Sequence, residues 1–140
     1  MKKHLILWLS VLGLLALLFT SCNLTGVTIE GRIYQFVSDL NAVDRSNIYL
    51  NFHPDCLNYG PIRDTKYLDG FFPPVEMDPT PYSIVPGTLY TSNELAVTFQ
   101  LDGPALFTGG TPNAIICSML KYGNDWQIRF LTLEGFLIVQ

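Results

Sequence analysis

The sequence predicts an α+β fold in which helices come first and antiparallel strands follow. Residues 29–40 repeat apolar side chains with the period of an amphipathic helix. From residue 88 onward the chain instead carries short runs of β-branched and aromatic residues between turn-forming ones, a pattern typical of strands. The 140 residues leave room for one domain of this kind.

The first helix is predicted from a stripe of apolar residues on one face, with Thr28 as its N-cap. The stripe consists of Ile29, Ile33, Phe36, Val37 and Leu40. A second helix is predicted to begin at Asp44, to carry Ile48, Tyr49 and Phe52 at helical spacing, and to end before Pro54. Two helices of unequal length therefore precede the strands.

The middle of the chain, residues 56–81, is rich in proline, which favours a loop with one short helix over residues 65–71. Strands are predicted over residues 88–101, 114–122 and 126–133, and residues 136–140 are expected to extend the last of them. No internal repeat interrupts this order.

The segment from Tyr122 to Trp126 is the clearest hairpin signal, because Gly, Asn and Asp tolerate the backbone angles of tight turns. Alternation after this turn predicts that Trp126, Ile128 and Phe130 share one face of the last strand.

The first 21 residues have the three parts of a secretory signal peptide. Lys2 and Lys3 supply the positive start, residues 5–19 the apolar stretch, and residues 20–21 the small side chains before Cys22. The alternative is an uncleaved transmembrane helix, which takes about 20 apolar residues and is therefore longer than this stretch. The sequence thus divides into a leader (1–21), a tether (22–27) and a single domain (28–140).

Residues 18–22 resemble a lipobox, the motif at which bacteria attach diacylglycerol to a cysteine and cleave just before it. The resemblance implies lipidation of Cys22, with several acyl chains giving stable membrane anchoring. Phe19 stands where Leu is usual, so the match is to the relaxed form of the motif, and a plain secretory signal is the alternative. We expect an exported, lipid-anchored protein of the bacterial cell envelope, and Asn23, in place of an Asp, favours the outer membrane.

The charge balance of the mature chain argues against nucleic acid as a partner. Without Lys2 and Lys3, six Lys and Arg stand against twelve Asp and Glu, a net charge of −6 with neutral His. No basic run remains to contact phosphates or anionic lipid. Cys56 and Cys117 are compatible with a disulfide in an exported chain, and equally with two buried thiols.

Residues 36–44 and 52–55 are similar to the opening of the NTF2-like (SnoaL-like) superfamily, in which an Asp begins the second helix and a Phe-His-Pro-Asp-like sequence ends it. The sequence Trp126-Gln127-Ile128 resembles the family's Trp-basic-Ile strand, with Gln in the basic position. The resemblance spans most of the mature chain. It implies a cystatin-like cone, with three helices packed in the concave face of a strongly bent antiparallel sheet.

Candidate catalytic residues are few. His53 and Asp55 form the one acid/base pair, although both also suit a helix end and the following turn. Asp102 and Glu134 could act as pocket carboxylates, as in isomerases of the family, or lie in solvated turns. His53 is the one imidazole of the mature chain and no paired Cys motif exists, so we expect no metal and no cofactor.

Aromatic residues crowd the proline-rich middle, and Tyr59, Tyr67, Phe72 and Tyr82 are candidate ligand-binding residues at a pocket rim. The alternative is that they cover the domain's own core.

Three functions follow as hypotheses. The first is a non-enzymatic, membrane-tethered domain that binds a small apolar ligand or an envelope protein. The second is an isomerase or dehydratase using a pocket carboxylate or His53. The third is a structural dimerisation module, which predicts an interior filled by its own side chains and an apolar outer sheet face.

Overall fold

The computed structural model describes residues 26–140, apart from residues 65, 94, 105, 107 and 108. The predicted leader, Cys22 and most of the tether lie outside this range. Two α-helices, α1 (Ile29–Leu40) and α2 (Tyr59–Asp64), alternate with two 3₁₀ helices, Ile48–Asn51 and Tyr67–Gly70. The strands that follow are β1 (Ser83–Ile84), β2 (Tyr90–Thr91), β3 (Ala96–Asp102), β4 (Asn113–Tyr122), β5 (Asp125–Leu133) and β6 (Phe136–Val139).

The six strands form one antiparallel sheet, so the predicted α+β class with helices before strands is confirmed. Strands β3, β4, β5 and β6 lie side by side in chain order, and β1 and β2 both pair with the free edge of β3. Beside the start of β5, Phe52 forms a single parallel bridge to Ile128. This bridge joins the end of the first 3₁₀ helix directly to the sheet.

Helix α1 forms as predicted. The Thr28 hydroxyl accepts a hydrogen bond from the Gly31 amide at 3.0 Å, which satisfies one of the free amides of the first turn. Four of the five stripe residues are buried against the sheet, and Ile29 packs at the edge of the core. The apolar periodicity and the Thr28 N-cap predicted from the sequence are therefore both confirmed in helix α1.

The predicted second helix is wrong, since only the 3₁₀ turn Ile48–Asn51 forms. The Asp44 carboxylate accepts a hydrogen bond from the Ser46 amide, two residues ahead, and so closes a local turn instead of capping a helix. The buried Asn51 amide donates to the Ile48 carbonyl and to Asp39, which fixes the chain in this tight form. Helix α2 arises instead within the segment predicted as loop, with Pro61 in its first turn.

The strands correct the sequence prediction in two places. The predicted strand 88–101 is broken into β2 and β3 by a turn in which Leu95 has a φ of 61°. Residues 136–140 do not extend β5, because Glu134 (φ 49°) and Gly135 (φ 81°) reverse the chain and β6 folds back along it. The β4–β5 hairpin is confirmed, with Gly123 at a φ of 63°.

A bulge sets which residues of β5 face the helices. Ser118 pairs with Phe130 and Met119 with Ile128, so Arg129 is an extra residue. Ile128 is therefore fully buried on the inner face, the face packed against the helices, whereas Phe130 lies on the opposite, outer face. The predicted common face for Trp126, Ile128 and Phe130 is thus wrong.

The core lies between α1 and the inner face of the sheet. Its centre is an aromatic cluster in which Phe36 packs edge-on against Phe52 and Phe72, with ring centroids 5.6 and 5.9 Å apart. Val97, Cys117, Leu131 and Val139 form a fully buried row beneath it, one from each of four adjacent strands. Among the described residues, no helix combines the length and apolar character needed to cross a bilayer.

Candidate functional site

The structure brings His53 and Asp55 together, but the backbone occupies both imidazole nitrogens. The Asp55 amide donates to His53 Nδ1 at 3.2 Å, so Nδ1 carries no proton in this arrangement and Nε2 donates to the Lys121 carbonyl at 3.3 Å. The His53 amide also donates to the Ile128 carbonyl. The Asp55 carboxylate lies 3.6 Å from Nδ1 and is exposed. This geometry fastens the chain to β4 and β5 and leaves no ring nitrogen for a substrate.

Asp102 and Glu134 lie at the ends of strands, away from the inner face. The exposed Asp102 accepts a hydrogen bond from the Gly103 amide next to it. Glu134 is exposed in the β5–β6 turn and accepts a hydrogen bond from the Ala114 amide. Asp102 thus closes its own turn, and Glu134 fastens the β5–β6 turn to the start of β4.

The candidate pocket-rim residues are part of the core. Phe72 is fully buried, and Tyr82 is buried with its hydroxyl donating to the Pro73 carbonyl at 2.9 Å. Tyr67 donates to the Ile138 carbonyl at 2.7 Å, and Tyr59 packs edge-on against Tyr49. The hydroxyls of Tyr67 and Tyr82 thus satisfy backbone carbonyls, and the rings cover the domain's own interior.

Tyr82 makes stability depend on alkaline pH. Burial raises the pKa of its phenol to about 12, against the opposing effect of the nearby Arg45 guanidinium. Because this exceeds the ordinary value of 10.0, the stabilisation from neutral Tyr82 is complete below pH 10 and is lost as the pH rises toward 12. We expect urea titrations to show the free energy of unfolding falling over this interval, and falling less in Tyr82→Phe. Equal falls in both proteins would contradict this assignment.

Cys56 and Cys117 are both buried and free, so the structure contains no bridge between them. The Cys56 thiol donates to the carbonyls of Ile128 and Arg129 at 3.4 and 3.1 Å, beside the bulge. Cys117 points into the core from β4. Burial raises the pKa of both thiols, which keeps them in the protonated, unreactive form.

A buried polar cluster that sequence reasoning missed joins α1, the first 3₁₀ helix and β5. Arg32 donates to the Trp126 carbonyl at 2.8 Å and to Asn51 Oδ1 at 3.3 Å. Gln127 and Arg32 both donate to the Leu50 carbonyl. Burial lowers the pKa of Arg32, and Asp125 partly offsets this effect. Most of these bonds end on backbone carbonyls, so the cluster positions elements of the fold.

A surface pocket of about 320 Å³ lies beside α2, on the helical side of the molecule. Its floor is apolar, made by the buried Ile48, Ile62 and Leu68, and its rim carries both acidic and basic side chains. The volume is at the lower end of the range for small-molecule sites. Within the described residues, no group of three or more His, Cys, Asp or Glu is placed to hold a metal ion.

The outer face of the sheet carries a row of side chains that crosses five strands, here called the outer row. The strand register aligns Tyr90, Thr98, Ile116, Thr132 and Leu137. None of the five is charged, and Tyr90, Ile116 and Leu137 are 66%, 45% and 54% exposed. Phe130 lies on the same face, and the exposed Gln100 and Asp102 stand on this face toward the end of β3. An uncharged apolar centre with a polar margin is typical of protein interfaces.

The described side chains thus give little support for catalysis and more for binding through a surface. His53 is held by backbone atoms, the carboxylates cap turns, and the aromatic residues fill the core. The outer row, by contrast, exposes Tyr90, Ile116 and Leu137 on the face of the sheet that turns away from the core. Comparison of the chain with protein-family models, with curated proteins and with solved structures gave no match.

Proposed function

We propose that the protein is a lipid-anchored, non-enzymatic module of the bacterial cell envelope that self-associates through the outer row. The single observation that carries the proposal is the contrast between the two sheet faces. The inner face is covered by its own aromatic side chains, whereas the outer face exposes an uncharged row across five strands. Single exposed apolar residues are common, but an aligned row of them marks an interaction surface.

The filled inner face disfavours the two hypotheses that need an interior site. An enzyme of the isomerase type requires an ionisable group facing a substrate cavity, and the two candidate carboxylates, Asp102 and Glu134, lie at turns. A binder of small apolar ligands requires unfilled apolar lining. On the inner face Phe36, Phe52 and Phe72 are fully buried, and the pocket beside α2 carries charged side chains around its apolar floor. Binding to protein through the outer face needs neither.

A second copy of the chain is the partner that the row fits best. With a mature net charge of −6, two copies repel each other over most of their surface, and the uncharged row is where they can approach. Four strand steps of about 4.8 Å by the four residues of β6, at about 3.3 Å each, give a projected area of roughly 250 Å². This area is small for a stable dimer, which buries about 800 Å² per partner. Confinement to one membrane would raise the effective concentration enough for a weak contact.

The proposal also includes the membrane anchor at Cys22 and the cone-like arrangement of the helices and the sheet. Lipidation of Cys22 would hold the domain at the envelope, with the outer membrane as the favoured location. We also propose that helices and sheet form an NTF2-like cone, supported by α1 packing on the inner face and by the bulges in β4–β5 and β5–β6, which bend strands. The 3₁₀ turn at Ile48–Asn51 in place of a second helix departs from that family.

The test is the oligomeric state of the mature chain carrying Cys22→Ser, measured by analytical ultracentrifugation. We expect a reversible dimer with a dissociation constant on the order of 10 µM or weaker, as befits a small interface. Ile116→Lys, which places a like charge at the centre of each row, should leave a monomer at every concentration. Val43→Lys is the matched control, since Val43 is exposed in the segment after α1 and the substitution is the same.

The outcomes separate the hypotheses. A wild-type chain that stays monomeric, or an Ile116→Lys variant that dimerises as wild type, contradicts self-association. A photo-crosslinking residue at position 116 in cells should give an adduct of twice the mass, whereas an adduct with a different envelope protein would replace the second copy as partner. An apolar molecule retained in native mass spectrometry would overturn the filled interior and restore the ligand-binding hypothesis.

A further inference from the structure

The chain joins the fold at a fixed point on the β4–β5 hairpin. The Val27 amide donates to the Asp125 carboxylate at 2.8 Å, and the Trp126 amide donates to the Val27 carbonyl at 3.1 Å. Gly26 lies so close to the hairpin that a Cβ at this position would stand 1.9 Å from the Asn124 carbonyl oxygen. Only glycine fits there, so the point at which the tether reaches the domain is held close against the hairpin.

The distance from this point to the proposed anchor is short. Three residues separate Cys22 from Gly26, and the four residue-to-residue steps of a fully extended chain reach roughly 14 Å. A lipid on Cys22 therefore keeps the hairpin within about 14 Å of the bilayer surface, a distance of about two headgroup layers. The other end of β5, at Leu133, lies seven residues beyond Trp126, which is roughly 23 Å along the strand from the hairpin.

The hairpin end exposes side chains suited to a lipid headgroup layer. Tyr122 is 58% exposed, and the exposed Lys121 places its ammonium 5.4 Å from the Trp126 ring centroid. Trp126 also lines an open groove of about 580 Å³, together with Val27 and Ile29. Tyrosine and tryptophan favour the membrane–water interface because each combines an apolar ring with a polar group.

We propose that the β4–β5 hairpin, with Lys121, Tyr122 and Trp126, is the surface of the domain that contacts the bilayer of its own anchor. The proposal rests on the proposed lipidation of Cys22. Its occupant is the lipid headgroup layer, because the short tether holds this end of the domain close to the bilayer. Glu30 lies on the rim of the same groove and opposes Lys121, so the contact depends on tether and aromatic rings more than on charge, and salt should change it little.

The test uses the acylated protein purified from bacterial membranes and reconstituted into phosphatidylethanolamine–phosphatidylglycerol vesicles. Trp126 is the single tryptophan of the chain once the leader with Trp8 is removed, so its fluorescence reports on the hairpin alone. A nitroxide carried on the lipid headgroup should lower Trp126 emission roughly twofold relative to unlabelled vesicles. A flexible insertion of about 20 residues after Thr25, which extends the reach to tens of ångströms, should remove most of this quenching.

A matched control moves the reporter to the far end of the sheet. Phe136 is 60% exposed beside Leu133, and the double variant Trp126→Phe, Phe136→Trp places the fluorophore there. We expect little quenching in this variant, with circular dichroism showing that it is folded. Quenching equal to that of Trp126, or none at position 126 in protein whose acylation is proved by mass spectrometry, overturns the proposed orientation while leaving the anchor intact. A chain with no acyl group on Cys22 overturns both.

Discussion

Phe36→Ala is expected to lower the free energy of unfolding by about 3–5 kcal/mol, the usual cost of truncating a buried phenylalanine. The ring is fully buried and packs edge-on against Phe52 and Phe72. Its loss removes contacts with the first 3₁₀ helix, through Phe52, and with the proline-rich segment, through Phe72. Because Phe52 and Phe72 both pack against the Phe36 ring, neither side chain alone can fill the cavity that the truncation leaves.

Urea unfolding at neutral pH measures this effect, and Tyr34→Ala is the matched control. Tyr34 lies on the same helix, two residues before Phe36, and is exposed. Its truncation should change stability by about 0.5 kcal/mol or less. Phe36→Leu should fall between the two, since it keeps part of the buried volume. A loss below about 1.5 kcal/mol in Phe36→Ala would show that the core collapses around the vacancy.

The parts of the fold that were predicted correctly depend on neighbours in sequence. Thr28 caps α1 through an amide three residues away, and the stripe from Ile29 to Leu40 needs only one apolar surface to pack against. The turn at Gly123 likewise closes within a few residues. Such signals are complete within a short window, so no knowledge of the tertiary structure was needed.

The errors arise where distant residues decide. The buried Asn51 side chain donates a hydrogen bond to Asp39, twelve residues earlier, and no local pattern in the sequence reveals this contact. The chain at Asn51 forms a 3₁₀ turn in place of the predicted helix. The bulge at Arg129 follows from the pairing of β4 with β5 and reverses the face of Phe130. Residues 136–140 carry a strand pattern, but only the φ values of Glu134 and Gly135 show that the strand turns back.

The candidate site shows the same limit. The sequence points to His53 and Asp55 because of their chemistry, whereas the backbone partners of the His53 ring, the Lys121 carbonyl and the Asp55 amide, decide its role. The polar cluster around Arg32 could not be predicted, since surface and buried arginines look alike in sequence. The outer row depends on the register of five strands, so Ile116 and Leu137 can be recognised as parts of one surface only when the pairing of the strands is known.

The two proposed surfaces use different side chains and can act together. The hairpin that would face the bilayer is at one end of β4 and β5, and the outer row crosses these strands further along. A sheet anchored at that end would stand with its outer face roughly perpendicular to the membrane. Two copies in one bilayer could therefore meet face to face with both tethers on the same side.

Arg45 holds the end of α1 to the proline-rich segment. Its buried guanidinium donates to the Leu40 carbonyl at the helix end, to the Phe72 and Pro73 carbonyls at 2.7 and 3.1 Å, and to the Asp69 carboxylate at 3.0 Å. These acceptors belong to three parts of the chain, which suits the several N–H donors of an arginine. Carbonyls at a helix end have no partner within the helix, so this side chain takes the place of a C-terminal cap.

Arg45→Ala should therefore lower the free energy of unfolding by about 3–5 kcal/mol, since it leaves a carboxylate and several carbonyls without their donor in a partly buried site. Arg63→Ala is the matched control, because Arg63 is exposed and its pair with Asp64 is solvated, so its loss should cost less than about 1 kcal/mol. Arg45→Lys should recover only a minority of the stability lost in Arg45→Ala, because one ammonium cannot reach all the acceptors that the guanidinium binds. Equal stability of Arg45→Lys and wild type in urea titrations would mean that charge alone, through Asp69, accounts for the role of Arg45. A poor rescue would show that its geometry fastens the helix end to the segment that carries Phe72.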